Sequence, residues 1–322
     1  MNGAGTQESP YIIMTADDLY SIGDIGTDES YFRLGADIDM NTSKYADMFM
    51  PIVLKCLDFD GNNHIIRNVN LNVVGGHALM FWIKNDEEES VVNVHGLMLE
   101  NIRLIGNDVY LFASWDKKKY VINFEYCTFN LNEICYLTEA KNTEGMRNCI
   151  IHDTNISVTA DYCTFAVNVD FSKTHPFFSG DSISHTQIKA DMSTYDFALT
   201  DDAYNALFSG VDFADSYFFG TLERRNNSAS SNYSVSSSDC IFSRFYMVFV
   251  PVSGIAVTYW RGTLATPCFY DSEELKKYIA NARIETNNSS TSMNAKNMLA
   301  LTTEQCKSAE YLQSVNFDCM EG

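Results

Sequence analysis

The chain has 322 residues, a hydrophobic fraction of 46%, and 22 Lys and Arg against 42 Asp and Glu, a formal net charge of −20. That length and apolar content support a sizeable core, while the negative balance repels phosphate backbones and argues against a nucleic-acid partner. No stretch approaches the ~20 apolar residues of a membrane span, and Met1-Asn2-Gly3-Ala4-Gly5-Thr6-Gln7 lacks the basic and apolar regions of a secretory signal. We therefore expect synthesis in the cytoplasm and no membrane partner.

In chain order, Thr15-Ala16-Asp17-Asp18 matches a capping box, and Leu19 and Ile22 begin an apolar stripe. This predicts a short helix. Asp37-Ile38-Asp39 then places two carboxylates on one face of a strand. Residues 57–73 carry the strongest pattern. The turn Asp60-Gly61-Asn62-Asn63, which Asp58 and Asp60 flank, leads into Val69, Leu71 and Val73 alternating with Asn68, Asn70 and Asn72. Period two is the mark of a strand with one buried face.

The second half of that pattern returns along the chain. Its first apolar positions are Val69, Ile102, Phe129, Ile156, Ile188, Phe218 and Tyr246, at steps of 33, 27, 27, 32, 30 and 28 residues. A repeat of this size marks a solenoid. Helical repeats of similar length need two amphipathic helices per unit, and residues 60–260 show instead short runs rich in Val, Ile, Phe and Tyr, broken by Asn, Asp, Ser and Gly. We expect an all-β fold, a single-stranded right-handed parallel β-helix, in preference to a β-sandwich.

Open sheet ends invite aggregation unless covered. Asp271-Ser272-Glu273-Glu274 predicts a helix to about Ala282, and Thr302-Thr303-Glu304-Gln305 is a second capping box. The expected organisation is an N-terminal cap at 1–50, the β-helix at 51–265 and a helical cap at 266–322. The low-complexity stretches Asn226–Asp239 and Asn287–Asn294 read as loops, and Asp86-Glu87-Glu88-Glu89 as a solvated loop.

The nine cysteines, Cys56, Cys127, Cys135, Cys149, Cys163, Cys240, Cys268, Cys306 and Cys319, are odd in number and form no C-x-x-C. Beside apolar residues they read as small core hydrophobes in a reducing compartment, stacked inward along the solenoid. The histidines His64, His77, His95, His152, His175 and His185 fall in separate turns and strands, none paired at metal-ligand spacing, and read as structural.

No nucleotide, zinc-protease, serine-hydrolase or calcium-loop motif is present. A glycosidase needs two carboxyls at a set separation. Candidates are Asp37 with Asp39, Asp58 with Asp60, Asp153, Asp181, and Asp201 with Asp202; each is as well explained by a half-exposed strand or a turn. Arg67 and Arg103, on either side of the recurring strand position, are the candidates for lyase chemistry. We expect no catalytic residue, cofactor or metal. Phe177-Phe178, Tyr217-Phe218-Phe219 and Tyr259-Trp260 exceed what one inward face needs and suggest a subunit interface or a glycan platform.

Asn2–Gln7 followed by Ser9-Pro10-Tyr11-Ile12-Ile13, and Phe32–Met40, resemble the opening of parallel β-helix proteins of bacteriophages and prophages. Phe59–Asn68 is similar to the first coil of pectate-lyase-like β-helices, and Leu301–Gln305 with Ala309–Leu312 and Phe317 resembles the tail of the phage group. The likeness covers about residues 1–75 and 300–322. The paired-Asp, Gly-His-Gly and Arg-x-Lys motifs of the polysaccharide-degrading relatives are missing, so it implies fold more than activity. It implies a non-enzymatic virion protein on head or tail, a homo-oligomer with a trimer favoured, partnered by other virion proteins and able to adhere to host or glycan. The alternatives are a tailspike-type depolymerase, lyase or glycosidase, and a bacterial surface adhesin.

Overall fold

The computed structural model describes residues 1–45, 50–116, 118–136, 150–153, 155–171, 178–194, 206–224, 234–238, 240–243, 246–251, 257–259, 262–264, 268–271, 273, 284–285 and 298–314. The chain divides into two compact units, Met1–Asn168 and Val169–Gly322. In each, parallel strands stack in register, as in a parallel β-helix.

In the first unit, one sheet runs β1 (Tyr11–Ile13), β2 (Tyr31–Leu34), β5 (Asp58–Asp60), β7 (Glu89–His95), β9 (Lys119–Glu125) and β11 (Ile156–Asp161). A second runs β3 (Ile38–Asp39), β6 (Ile65–Ile83), β8 (Met98–Ala113), β10 (Thr128–Tyr136) and β12 (Thr164–Phe171), with β4 (Ile52–Leu54) paired to the far end of β6. Period-two sequence becomes coil-to-coil columns. Phe32, Phe59, Val94, Phe124 and Ala160 share one register and are buried, while their neighbours Arg33, Asp60, His95, Glu125 and Asp161 form the adjoining outer column. Phe112, Phe124, Phe129 and Phe165 fill the centre, with Phe124–Phe129 and Phe129–Phe165 centroids 5.1 and 5.0 Å apart. Each buried ring contributes about 1.5–3 kcal/mol.

The corner from the first sheet to the second is built the same way in successive coils. A left-handed residue ends one strand and a buried residue opens the next: Gly96 then Leu97, Tyr126 then Cys127, Tyr162 then Cys163. One residue at positive φ turns the chain without a loop. The expected inward placement of cysteines is seen at Cys56, Cys127 and Cys163, all buried and unbridged.

The second unit has three strands per coil. Its sheets run β14 (Ser182–Ser184), β17 (Asp212–Ala214), β20 (Cys240–Ser243), β23 (Gly262–Leu264); β15 (Gln187–Thr194), β18 (Tyr217–Arg224), β21 (Tyr246–Pro251), β24 (Cys268–Asp271), β26 (Met298–Leu301); and β13 (Phe178–Ser179), β16 (Ala206–Ser209), β19 (Ser234–Ser238), β22 (Val257–Tyr259), β25 (Ile284–Glu285). The same corner recurs as His185-Thr186 and Asp215-Ser216, the first of each at positive φ and the second buried.

Both capping boxes form. Thr15 accepts from Asp18 N at 3.2 Å and Asp18 accepts from Thr15 N at 3.2 Å, opening α1 (Ala16–Tyr20), which α2 (Ile22–Ile25) follows. Leu19 and Ile22 are fully buried. Thr302 and Gln305 exchange the same pair of bonds ahead of a helix at Thr303–Cys306, and a further helix covers Ala309–Ser314. The predicted helix from Asp271 lies outside the described residues beyond Glu273, and Asp271 itself ends β24. Parallel pairing begins at β1 and reaches β26, so strands of these sheets lie within both 1–50 and 266–322.

Three local expectations change. The recurring positions are not one column. Val69 pairs Ile102 and Ile188 pairs Phe218, but Phe129 pairs Leu99, Phe218 pairs Met247, and Ile156 belongs to the first sheet opposite Tyr120. All strands of a coil share the apolar-x-apolar texture, so texture identifies a strand without saying which. Ser234–Ser238, inside the expected loop at 226–239, is a strand held by parallel pairing to its neighbours. Asp58–Asp60 is a strand too; the turn begins at Gly61. Residues 287–294 lie outside the described residues, and Asp86–Glu88 are exposed as expected, with Glu89 starting β7.

Candidate functional site

The outer face of the first sheet, beside the N-terminal loop, gathers the most chemistry. Register sets Tyr31, Asp58 and Asn93 in one row and Arg33, Asp60 and His95 in the next. Gln7 and Pro10 complete the wall of a cleft of about 140 Å³ lined by Tyr31, Phe32, Arg33, Asp58, Asp60 and His95. The loop is tied down by Tyr31 N donating to Gly5 O at 3.0 Å. The volume is below the roughly 300–1,000 Å³ of sites that enclose a drug-sized ligand; it suits one small ring.

His95 sits between two carboxylates. Its Nε2 is 3.1 Å from Asp58 Oδ1, and its Nδ1 is 3.4 Å from Asp60 Oδ1. The hydrogen bond to Asp58 raises its pKa; partial burial opposes this, and the charges of Asp58 and Asp60 add to the rise. Asp60 also accepts from Arg33 Nε at 2.6 Å and from Asn62 N at 2.7 Å. With His95 protonated, the two cations and two carboxylates sum to zero charge. The cluster can donate to and accept from a polyhydroxylated ligand, and its His95 holds a proton more firmly than a free imidazole. Its side-chain ion pairs are made across coils, Arg33 to Asp60 spanning 27 residues and Asp58 to His95 spanning 37.

The other expected candidates are equally engaged. Asp37 accepts from His64 Nδ1 at 3.0 Å and Ile65 N at 3.2 Å, and these bonds lower its pKa. Asp39 accepts from Asn68 Nδ2 at 2.9 Å and Arg67 Nε at 3.1 Å; the Asn68 bond leads in lowering its pKa. Arg103 pairs with Glu133 and reaches Asn70 at 3.4 Å. Asp153, whose pKa burial raises, accepts from Ser114 N at 2.9 Å and Asn155 N at 3.0 Å. Asp181 is buried and accepts from Ser179 N at 2.8 Å. Asp201, Asp202, His175, Phe177 and Trp260 lie outside the described residues.

Four described histidines have partners that spacing alone did not reveal: His64, His77, His95 and His185 each face an aspartate of a neighbouring coil, Asp37, Asp108, Asp58 and Asp215. His152 is buried on Asp153 O at 2.8 Å. Sequence reading overlooked Arg33 and placed His95 apart from the aspartates. The usable signal was the repeat itself, because residues one coil apart become neighbours. Among the described residues, no group of three or more His, Cys, Asp or Glu is placed to hold a metal ion, and no helix is long and apolar enough to cross a membrane.

No protein-family profile matches this sequence, and no curated protein matches it. Among solved structures, the chain is similar to a candidate immunoglobulin A1 protease from Bacteroides ovatus, at 13% identity and a TM-score of 0.44 over 97% of this chain and 89% of that one. Likeness at this level brings no activity to this chain.

Proposed function

We propose that this chain is a non-enzymatic structural protein of a bacteriophage particle, carried on head or tail as an oligomer, with a trimer favoured, that adheres to host or glycan. The observation that supports a structural role is the engagement of its polar groups. Asp37, Asp39, Asp58, Asp60 and Glu133 each bind a cation or imidazole of another coil. Asparagines continue the stitching: Asn101 Nδ2 donates to Asn68 Oδ1 at 2.6 Å, Asn132 Nδ2 to Asn101 Oδ1 at 2.9 Å, and Asn123 Nδ2 to Asn93 Oδ1 at 2.9 Å. Such ladders stiffen a solenoid and tie these five carboxylates to neighbouring coils. Mass spectrometry of purified particles tests the assignment: the chain is expected at stoichiometric level, and its absence overturns the virion role.

A second reading is a tailspike-type depolymerase, favoured by the cleft where His95 lies between Asp58 and Asp60. It requires release of reducing ends from a cell-surface polysaccharide, abolished by Asp58→Asn. Release that survives Asp58→Asn and His95→Gln excludes that site.

A further inference from the structure

Two of the three tryptophans meet at another place in the first unit. Trp82, near the end of β6, and Trp115, just past β8, have centroids 5.0 Å apart with planes tilted 41°. Trp115 is 55% exposed, unusual for the largest apolar side chain. Trp82 packs on Leu79, Tyr110 and Ala113, and its Nε1 is buried with no hydrogen-bond partner among the described residues. The corner therefore presents ring surface and not the Trp82 N–H. Lys84 is exposed, lies 5.0 Å from the Trp82 ring centroid, and makes no ion pair among the described residues.

We infer that the Trp82–Trp115 corner is a binding site for a neutral sugar ring. The faintly positive C–H face of a pyranose suits the negative face of an indole. Lys84 offers donors to its hydroxyls or ring oxygen. The chain's net charge of −20 selects against an anionic saccharide, because each added carboxylate meets the protein's own repulsion. The turn beyond Lys84 does not reverse this. Lys55 pairs with Asp86 at 2.7 Å and Lys119 with Glu89 at 3.7 Å, while Lys118, which keeps its charge as it donates to the carbonyls of Asn85 and Asp86 at 2.8 and 2.7 Å, is offset by the exposed Glu87 and Glu88. This inference rests on the adhesive part of the reading above and names its ligand class.

The test is tryptophan fluorescence and calorimetric titration of the purified full chain with maltotetraose, mannotetraose, a β-linked galactotetraose and the acidic tetragalacturonate. At least one neutral tetrasaccharide is expected to bind saturably and at least tenfold tighter than tetragalacturonate. Trp115→Ala should weaken binding tenfold or more, and Trp82→Phe, which leaves a smaller ring against Trp115, several-fold. Lys84→Gln, at an exposed side chain, checks the site independently if Trp82→Phe lowers the melting temperature. Failure of all three neutral probes, tighter binding of the acidic one, or unchanged affinity in both Trp115→Ala and Lys84→Gln overturns the inference. Particle mass spectrometry is unaffected by any of these results, so the virion assignment stands or falls separately.

Discussion

At the scale of single residues, the outer face is organised by charge placed one coil apart. His95 shows how this couples stability to pH. Its pKa is raised in the folded chain by Asp58 and Asp60, so its contribution is fully present below the unfolded value of about 6.5 and is lost as pH rises through the folded value. The side chain is 38% exposed, and solvent screening leaves on the order of a few tenths of a kcal/mol. Melting curves across this range should show a small loss of stability above about pH 6.5 that His95→Gln removes; a variant that follows the wild-type curve would refute the coupling. The neighbouring Gly61 is set by space, not by φ. A Cβ there would lie 2.3 Å from Leu97 Cα and 2.4 Å from Gly96 O, both backbone of the next coil. Gly61→Ala should therefore destabilise by about 1–3 kcal/mol, read from chemical denaturation, because backbone cannot rotate aside as a side chain can.

At the scale of elements, each strand is held by the next coil rather than by its own turn. Phe129 on β10 is fully buried between Phe124 of the facing sheet and Phe165 of the flanking strand β12. Phe129→Ala should cost about 3–5 kcal/mol, measured as a fall in denaturation midpoint, because stacked coils cannot collapse into the space. The left-handed corners explain the tyrosines outside the core. Tyr126 and Tyr162, at φ 53° and 51°, stack at 5.2 Å with planes 15° apart while 59% and 38% exposed. Their sequence contexts, Tyr126-Cys127 and Tyr162-Cys163, repeat the corner that Gly96-Leu97 makes in the coil before. The capping boxes at Thr15 and Thr302 were legible in the sequence, since all their contacts lie within four residues. The strand at Ser234–Ser238 was not, because a run of serines has no apolar period and is extended by its paired neighbours.

At the scale of the whole molecule, the charge of −20 opposes compaction, while the ion pairs that relieve it are mostly exposed and individually weak. Added salt should therefore raise the melting temperature between about 0.01 and 0.15 M as the screening length falls from about 30 to 8 Å; a fall would show that the coil-to-coil pairs outweigh the net repulsion. The sequence by itself determined the class of fold. Period-two alternation and a repeat near thirty residues are local properties, and only parallel stacking buries such faces in a chain without helical pairs. It also located Asp58 and Asp60, though as parts of a turn. Only the tertiary structure decided which residues face one another. Arg33, Asp60 and His95 have no motif between them, and Trp82 and Trp115 stand 33 positions apart in the chain. Their meeting depends on register, which sums every loop length along the coil. A shift of one residue in any loop would exchange inner for outer side chains, and that sum is settled by packing rather than by any local pattern.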